Sequence, residues 1–323
     1  MYYPLLRGKQ EELLALQELL KEDLINNVVP IIEPIALSST LVNTLELFRS
    51  KNKRIFVARN PTVGTFEDDL SSLENTNSEE MDESEQKKYA RQLEYKRKYL
   101  EMIQDQSISP AVFRGNDFDA VYEQVQTEGR SNVAVLFANE EELLGETIPA
   151  GDNILFVPEF GLNSDINSEL IIFRDKFNKR SSNSQYAQEP DEFFSRDQLL
   201  FARNNYGGFS DYSIIGKAYD DSGFAPYAIA IHIVYPEEGT NAFRVRHFVS
   251  DSNLSNRDPA RKFFEAVNKL LMWSEENPQY ITLGITRFKR QVENHNYPGL
   301  GCIKRYSLMH HLEIADRMLA GSI

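Results

Sequence analysis

Residues 1–20 read MYYPLLRGKQEELLALQELL. A β-rich apolar run, residues 2–6, stops on Arg7, Gly8, Lys9 and Gln10, and a helical pattern begins at once. Leu13, Leu16, Leu19 and Leu20 recur at helical spacing. One such strand, charged stop and helix is a unit; what decides the fold is that the chain repeats it.

The second run is VVPIIEPI, residues 28–35, followed by a Ser-Ser-Thr helix start. RIFVARN (54–60), ISPAVFRG (108–115), NVAVLFAN (132–139), NILFVPEF (153–160), ELIIFRDKF (169–177) and FSDYSIIG (209–216) follow, mostly separated by helix-length segments. Most of the eight runs are continuously apolar rather than alternating, as strands covered on both faces are. Eight strand–helix units predict an α/β fold, a TIM-like (β/α)8 barrel, rather than an open sheet. No GxGxxG follows the first run, so a dinucleotide-binding open sheet has no support.

Residues 1–323 are read as a single barrel domain with two excursions. The first, residues 61–107, follows the third strand. Its acidic part, residues 66–82, is expected to be mobile and to add little to the core. The rest is a charged helix, and the whole is either a solvated excursion or a protein-binding arm. The second is a β-hairpin at 227–251, YAIAIHIVYPEEGTNAFRVRHFVSD, placed outside the barrel ring. A helical pattern is expected around 191–205, and C-terminal helices over 259–323, the first of them a candidate eighth barrel helix.

The net charge is −14, so the overall field attracts neither nucleic acid nor anionic lipid. No apolar run approaches the roughly 18–20 residues of a membrane span. No secretory pattern opens the chain, and the single cysteine, Cys302, permits no internal disulfide. Both point to a cytoplasmic protein.

In a parallel barrel all strand C-termini ring one mouth, where barrel enzymes place their reacting groups. The runs close on Arg7, Lys9 and Gln10; on Glu33; on Arg59; on Arg114; on Asn139; on Glu159; and on Arg174 with Asp175. Arginine forks suit phosphate or carboxylate. Arg7, Lys9, Gln10, Arg59, Arg114, Asn139, Glu159 and Arg174 are therefore candidate ligand contacts. Glu33 and Asp175 are candidate bases or oxygen ligands for a divalent metal, with Asp211 as partner. Strand ends also carry charge simply because the chain leaves the core there, and such residues then form structural ion pairs.

His232 and His247 become neighbours if the hairpin pairs across residues 237–242; near Asp251 they would bind metal or relay protons, or else merely pack. His310 and His311 are adjacent on a helix and face different ways. No HExxH, CxxC or GxSxG stretch is present, nor a phosphate-loop motif.

Taken together, YYPLLRGKQEELLAL, VVPIIEP, FRDKF followed by PDEFFS, GFSDYS, AIHIVY and HFVSD resemble an uncharacterised bacterial family common on mobile elements. That family is distantly similar to the "beta protein" family of T-even phages. The matching positions are Arg7, Lys9, Gln10, Glu33, Arg174, Asp175, Asp211, His232, His247 and Asp251. The resemblance implies a barrel protein of phage and mobile-element biology and carries no activity with it. Two functions follow as expectations. One is a ligand-binding barrel, a phosphodiester hydrolase or a sensor of a phosphorylated, nucleotide-like molecule. The other is a non-catalytic interaction protein of a phage-defence or mobile-element system.

Overall fold

The computed structural model describes residues 1–75, 82–115, 117–137, 139–144, 153–158, 168–219 and 225–323. Eight parallel strands form one sheet: β1 (Leu5–Leu6), β2 (Ile31–Ile32), β3 (Ile55–Ala58), β4 (Ile108–Phe113), β5 (Val133–Leu136), β6 (Asn153–Val157), β7 (Glu169–Phe173) and β9 (Gly208–Ser210). They follow one another around the ring, and the sheet closes where β9 meets the first residues. Tyr3 N–H donates to the Phe209 carbonyl (2.9 Å), Leu5 N–H to the Asp211 carbonyl (2.8 Å) and Phe209 N–H to the Met1 carbonyl (3.1 Å). A Cβ on Gly208 would lie 2.4 Å from the Met1 carbonyl oxygen, so only glycine lets the two backbones approach this closely. The first two strands are short because Pro4 and Pro30 each remove one donor from the ladder. Their carbonyls still accept, from Ile31 and Phe56 (both 2.9 Å).

The interior is filled by Tyr3, Leu5, Ile31, Phe56, Phe156, Phe173 and their neighbours. Ala58, Ala111 and Ala134 make room for the edge-on contacts of Phe156 with Tyr3 (5.4 Å) and Phe56 (6.4 Å). The barrel is a packed core, with no open channel among these side chains. The opposite faces of the same strands, Leu6, Ile32, Val57, Val112 and Val135, pack under α1 (Gln10–Lys21), α2 (Ser39–Ser50), α5 (Phe118–Thr127) and the other outer elements.

The excursion after β3 forms α3 (Phe66–Asn75) and α4 (Glu83–Met102). Here the expectation that 66–82 adds little to the core needs correction for α3. Phe66 is buried against Tyr99 (5.0 Å), and Leu70 and Leu73, one and two turns on, pack on the same cluster. These three apolar positions fall at helical spacing inside an acidic stretch, and composition alone hides them. Asp69 Oδ2 also accepts from Leu37 N–H (2.8 Å), tying α3 to the connection after β2. Residues 76–81 lie outside the described residues.

After β7 the chain makes β8 (Asp191–Ser195) and a short α7 (Asp197–Leu200) instead of the helix expected at 191–205. The sequence DEFFS pairs antiparallel with β11 (Phe243–Val249), burying Phe194 and leaving Phe193 outside. Long-range pairing thus overrides the helix-start signal at Pro190. β11 pairs in turn with β10 (Ala230–Pro236), giving a three-stranded sheet outside the ring, as the hairpin pattern required.

The helix α8 (Pro259–Glu276) covers this second sheet: Trp273 lies 5.3 Å from Tyr235 and 5.8 Å from Phe248. It is not the eighth barrel helix. That place goes to α10 (Leu300–Leu319), which runs parallel to α1. Arg305 meets Glu11 and Glu18, and Asp316 accepts from the N–H groups of Asn26 (2.6 Å) and Asn27 just past the end of α1. α9 (Leu283–Glu293) crosses α10 so closely that a Cβ on Gly284 would lie 2.3 Å from the Tyr306 carbonyl oxygen. Among the described residues no helix is long and apolar enough to cross a membrane.

Candidate functional site

Strand alternation decides what reaches the mouth. In β1 and its extension, Tyr3 and Leu5 point inward, so Arg7 does too; in β2, Val29 and Ile31 put Glu33 inward. By the same count Asp175 follows Ile171 and Phe173, and Tyr212 itself packs with the interior cluster. A polar layer therefore lies directly above an apolar one.

Glu33 is fully buried, with 0% exposure, and forms an ion pair with Arg7, which is buried as well. Glu33 Oε1 also accepts from Thr62 N–H and Thr62 Oγ1–H, both at 2.7 Å. Arg7 Nη2 donates to the Lys217 carbonyl (2.8 Å), and its guanidinium lies 5.1 Å from the Tyr212 ring centroid. Burial, partly offset by Arg7, pushes the Tyr212 hydroxyl up to about 12. Asp175 accepts from Phe177 N–H (3.2 Å) and Lys217 N–H (2.9 Å), joining the loops after β7 and β9. Lys9, half-buried at the start of α1, holds its ammonium 4.7 Å from the Tyr219 ring centroid.

Glu12 belongs to this site and was not among the sequence candidates. Buried in the first turn of α1, it bonds the backbone of Arg7 and Lys9; burial outweighs those bonds and raises its carboxyl to about 7. Its signal was positional, a glutamate three residues after the helix cap, where side chains turn back to the preceding N–H.

Arg59, Arg114 and Arg174 do not join Arg7. Phe56 and Ala58 are inward, so Arg59 points out between the helices and pairs with Glu128 at 2.8 Å. Arg114 follows inward Phe113 and stacks over Phe118 of α5 (4.0 Å), with Asp119 at 3.9 Å. Arg174 follows inward Phe173, and its Nε donates to the Pro158 carbonyl (2.8 Å). Asn139 caps α6 (Glu140–Leu144) by accepting from Glu142 N–H (2.9 Å). Gln10 is exposed at the first position of α1. Glu159 lies outside the described residues.

Asp211 faces the outer layer, where it accepts from Tyr2 Oη–H (2.6 Å) and Ser213 N–H (2.7 Å). Burial raises its carboxyl from 3.8 to about 6. Protonated Asp211 therefore stabilises the fold below about pH 4, and that contribution is lost as the pH rises through about 6. Two units correspond to about 3 kcal/mol at order of magnitude. Asp211→Asn should gain roughly that much relative to wild type between pH 4 and pH 8, measured by urea unfolding. Parallel stability curves would mean that Asp211 ionises freely in the fold.

His232 and His247 face each other across the hairpin in register, their Nδ1 atoms 2.8 Å apart. His247 Nε2 meets Glu192 Oε1 (3.2 Å), and Arg180 holds the other oxygen of that carboxylate (2.8 Å). Burial above all lowers both imidazoles, so the pair is neutral near pH 7 and shares one N–H···N bond. The Phe177 ring, 5.0 Å from His232, connects this pair to the Asp175 loop. Asp251 is elsewhere, bonded to Lys269 (2.7 Å). His310 and His311 do diverge, the first to Thr282 and the Val234 carbonyl, the second to Ser213. Among the described residues no group of three or more His, Cys, Asp or Glu is arranged to hold a metal ion.

Comparison of the chain with family models, with curated proteins and with solved structures found no match.

Proposed function

We propose that the barrel binds a small phosphorylated, nucleotide-like molecule at its mouth, as a sensor rather than as a hydrolase. One observation carries this reading: above the layer of Leu5, Ile31 and Phe173, the next inward positions of the same strands are Arg7, Glu33 and Asp175, beside Tyr212, at the end where barrels bind ligands. Glu33 fixes the plane of the Arg7 fork, and Lys9 is the outermost cation of the set. A ligand phosphate would contact Lys9 and take the place of the Lys217 carbonyl on Arg7 Nη2.

Binding is favoured over hydrolysis because the two inward carboxylates of the mouth, Glu33 and Asp175, are already engaged. Glu33 is held by Arg7 and Thr62, and both oxygens of Asp175 accept backbone N–H groups. These bonds commit Glu33 to orienting Arg7 and Asp175 to holding the loops after β7 and β9.

The test is a thermal-shift screen of nucleotides and phosphosugars, followed by titration of the best stabiliser. Lys9→Ala should weaken binding by about tenfold or more, as expected for a lost charge-assisted contact. Lys9→Arg should retain most of it. Absence of any stabilising anion, or full binding by Lys9→Ala, would remove the reading. The alternative, a non-catalytic interaction protein of a phage-defence or mobile-element system, has its own support. Leu93 and Leu100, seven residues apart on one side of α4, are 39% and 44% exposed.

A further inference from the structure

A second cationic concavity lies away from the mouth, on the outer helical layer. The C-terminal half of α1, the α9 helix and the first turns of α10 line an open cavity of about 360 Å³. This is within the size range of small-molecule sites, roughly 300–1,000 Å³. Its wall carries four cations, Lys21, Arg287, Arg290 and Arg305, against two carboxylates, Glu18 and Glu22.

The six charges are not equivalent. Glu18 accepts Arg287 Nε (2.9 Å) and stands 3.6 Å from Arg305 Nη1, so one carboxylate braces two arginines. Glu11, behind the wall, supports Arg305 from the other side (3.3 Å). Arg305 also lies over the ring of buried Tyr306 (5.3 Å), whose hydroxyl accepts from Gln291 (3.2 Å). Two guanidinium groups are thus held in fixed orientation at the back of the cavity. Lys21 and Arg290, both exposed, form no ion pair with any described residue. They stand at the ends of α1 and α9, where a cation also favours the helix dipole.

We infer that this cavity is a binding site for a phosphate monoester. Arginine forks match phosphate oxygens, and a monoester carries about −1.5 to −2 charge near pH 7. The dianion would sit between the braced Arg287 and Arg305 and the two cations at the rim. The volume leaves room for a small organic group beside the phosphate. A neutral or cationic ligand would leave Lys21 and Arg290 without an ion-pair partner among the described residues. The site is independent of the mouth and does not rest on the function proposed there.

The experiment is isothermal titration of the full chain with ribose 5-phosphate, with ribose as the neutral control. It uses wild type, Lys21→Ala/Arg290→Ala and Lys9→Ala. Since Lys21 and Arg290 are exposed and unpaired among the described residues, their removal should leave the unfolding midpoint within a degree or two. Affinity for the phosphate ester should fall by about a hundredfold, roughly tenfold per lost cation. Lys9→Ala should bind like wild type at this site. Affinity should also drop as the pH is lowered through about 6, where the monoester becomes a monoanion. Equal binding by wild type and the double variant, or equal heats from ribose, would overturn the assignment. Loss of binding in Lys9→Ala alone would move the phosphate to the mouth and also overturn it. No heat from wild type with ribose 5-phosphate would do the same.

Discussion

Glu33→Ala should destabilise the protein by about 3–5 kcal/mol, the cost of removing one partner from a buried ion pair. Glu33 is fully buried and Arg7 nearly so, so the substitution strands a guanidinium with one carbonyl partner, Lys217, and an aromatic face, Tyr212. It also strands Thr62, whose N–H and hydroxyl both point at the lost carboxylate. Replacing both charges together, with Arg7→Met and Glu33→Leu, should recover most of the loss, because a buried pair is seldom more stable than apolar residues of similar size. Urea unfolding of the three variants checks both statements. A loss below about 1 kcal/mol for Glu33→Ala would show that water reaches Arg7 and that the pair is not a structural support. If the double variant recovers stability but binds no ligand, the pair is kept for what it holds and not for the fold.

The second large effect is acid lability at His311. The imidazole is completely buried between the rings of Tyr2 (5.6 Å), Phe194 (5.2 Å) and Phe243 (6.1 Å). Its Nδ1 is 2.6 Å from Ser213 Oγ, and its Nε2 has no hydrogen-bond partner. Burial, with His310 beside it, lowers its pKa from 6.5 to about 3. The group is neutral in the fold and takes a proton when unfolded. Its contribution to stability is therefore complete above about 6.5 and is lost as the pH falls toward about 3. At pH 4 the loss is about 3 kcal/mol, taking 1.36 kcal/mol per unit. His311→Phe keeps the ring and removes the titration. At pH 7 it should cost about 1–3 kcal/mol for the stranded Ser213 hydroxyl. Between pH 7 and pH 4, however, it should lose about 3 kcal/mol less than wild type. Identical pH slopes in urea unfolding would mean that His311 is protonated in place and that α10 does not seal this seam.

α10 matters to both results because it completes the outer layer at the seam. Its residues Asp316, His311 and His310 reach the end of α1, the loop after β9 and the hairpin strand β10 respectively. Neither its place in the ring nor these contacts follow from its own sequence. Its apolar and histidine positions are buried almost all round from Tyr306 to Asp316, so no single face announces a partner. The helix α8 has the clearer amphipathic pattern, which is why it was the natural candidate for the eighth barrel helix; that pattern fits the second sheet equally well.

What the sequence determined by itself was the number and order of the barrel strands and the hairpin outside them. Eight apolar runs with helix-length spacers allow little else, and His232 opposite His247 follows from counting back from the turn. The continuity that marked those runs also concealed which residues face the mouth. A strand covered on both faces is apolar at every position, so it carries no alternation from which to read inside from outside. The charged residue that ends a run can therefore fall on either side. Arg7 and Glu33 fall inward and meet; Arg59, Arg114 and Arg174 fall one position out of phase and turn to Glu128, Phe118 and the Pro158 carbonyl. Only closure of the ring fixes that phase, because it sets every strand's register against its two neighbours at once.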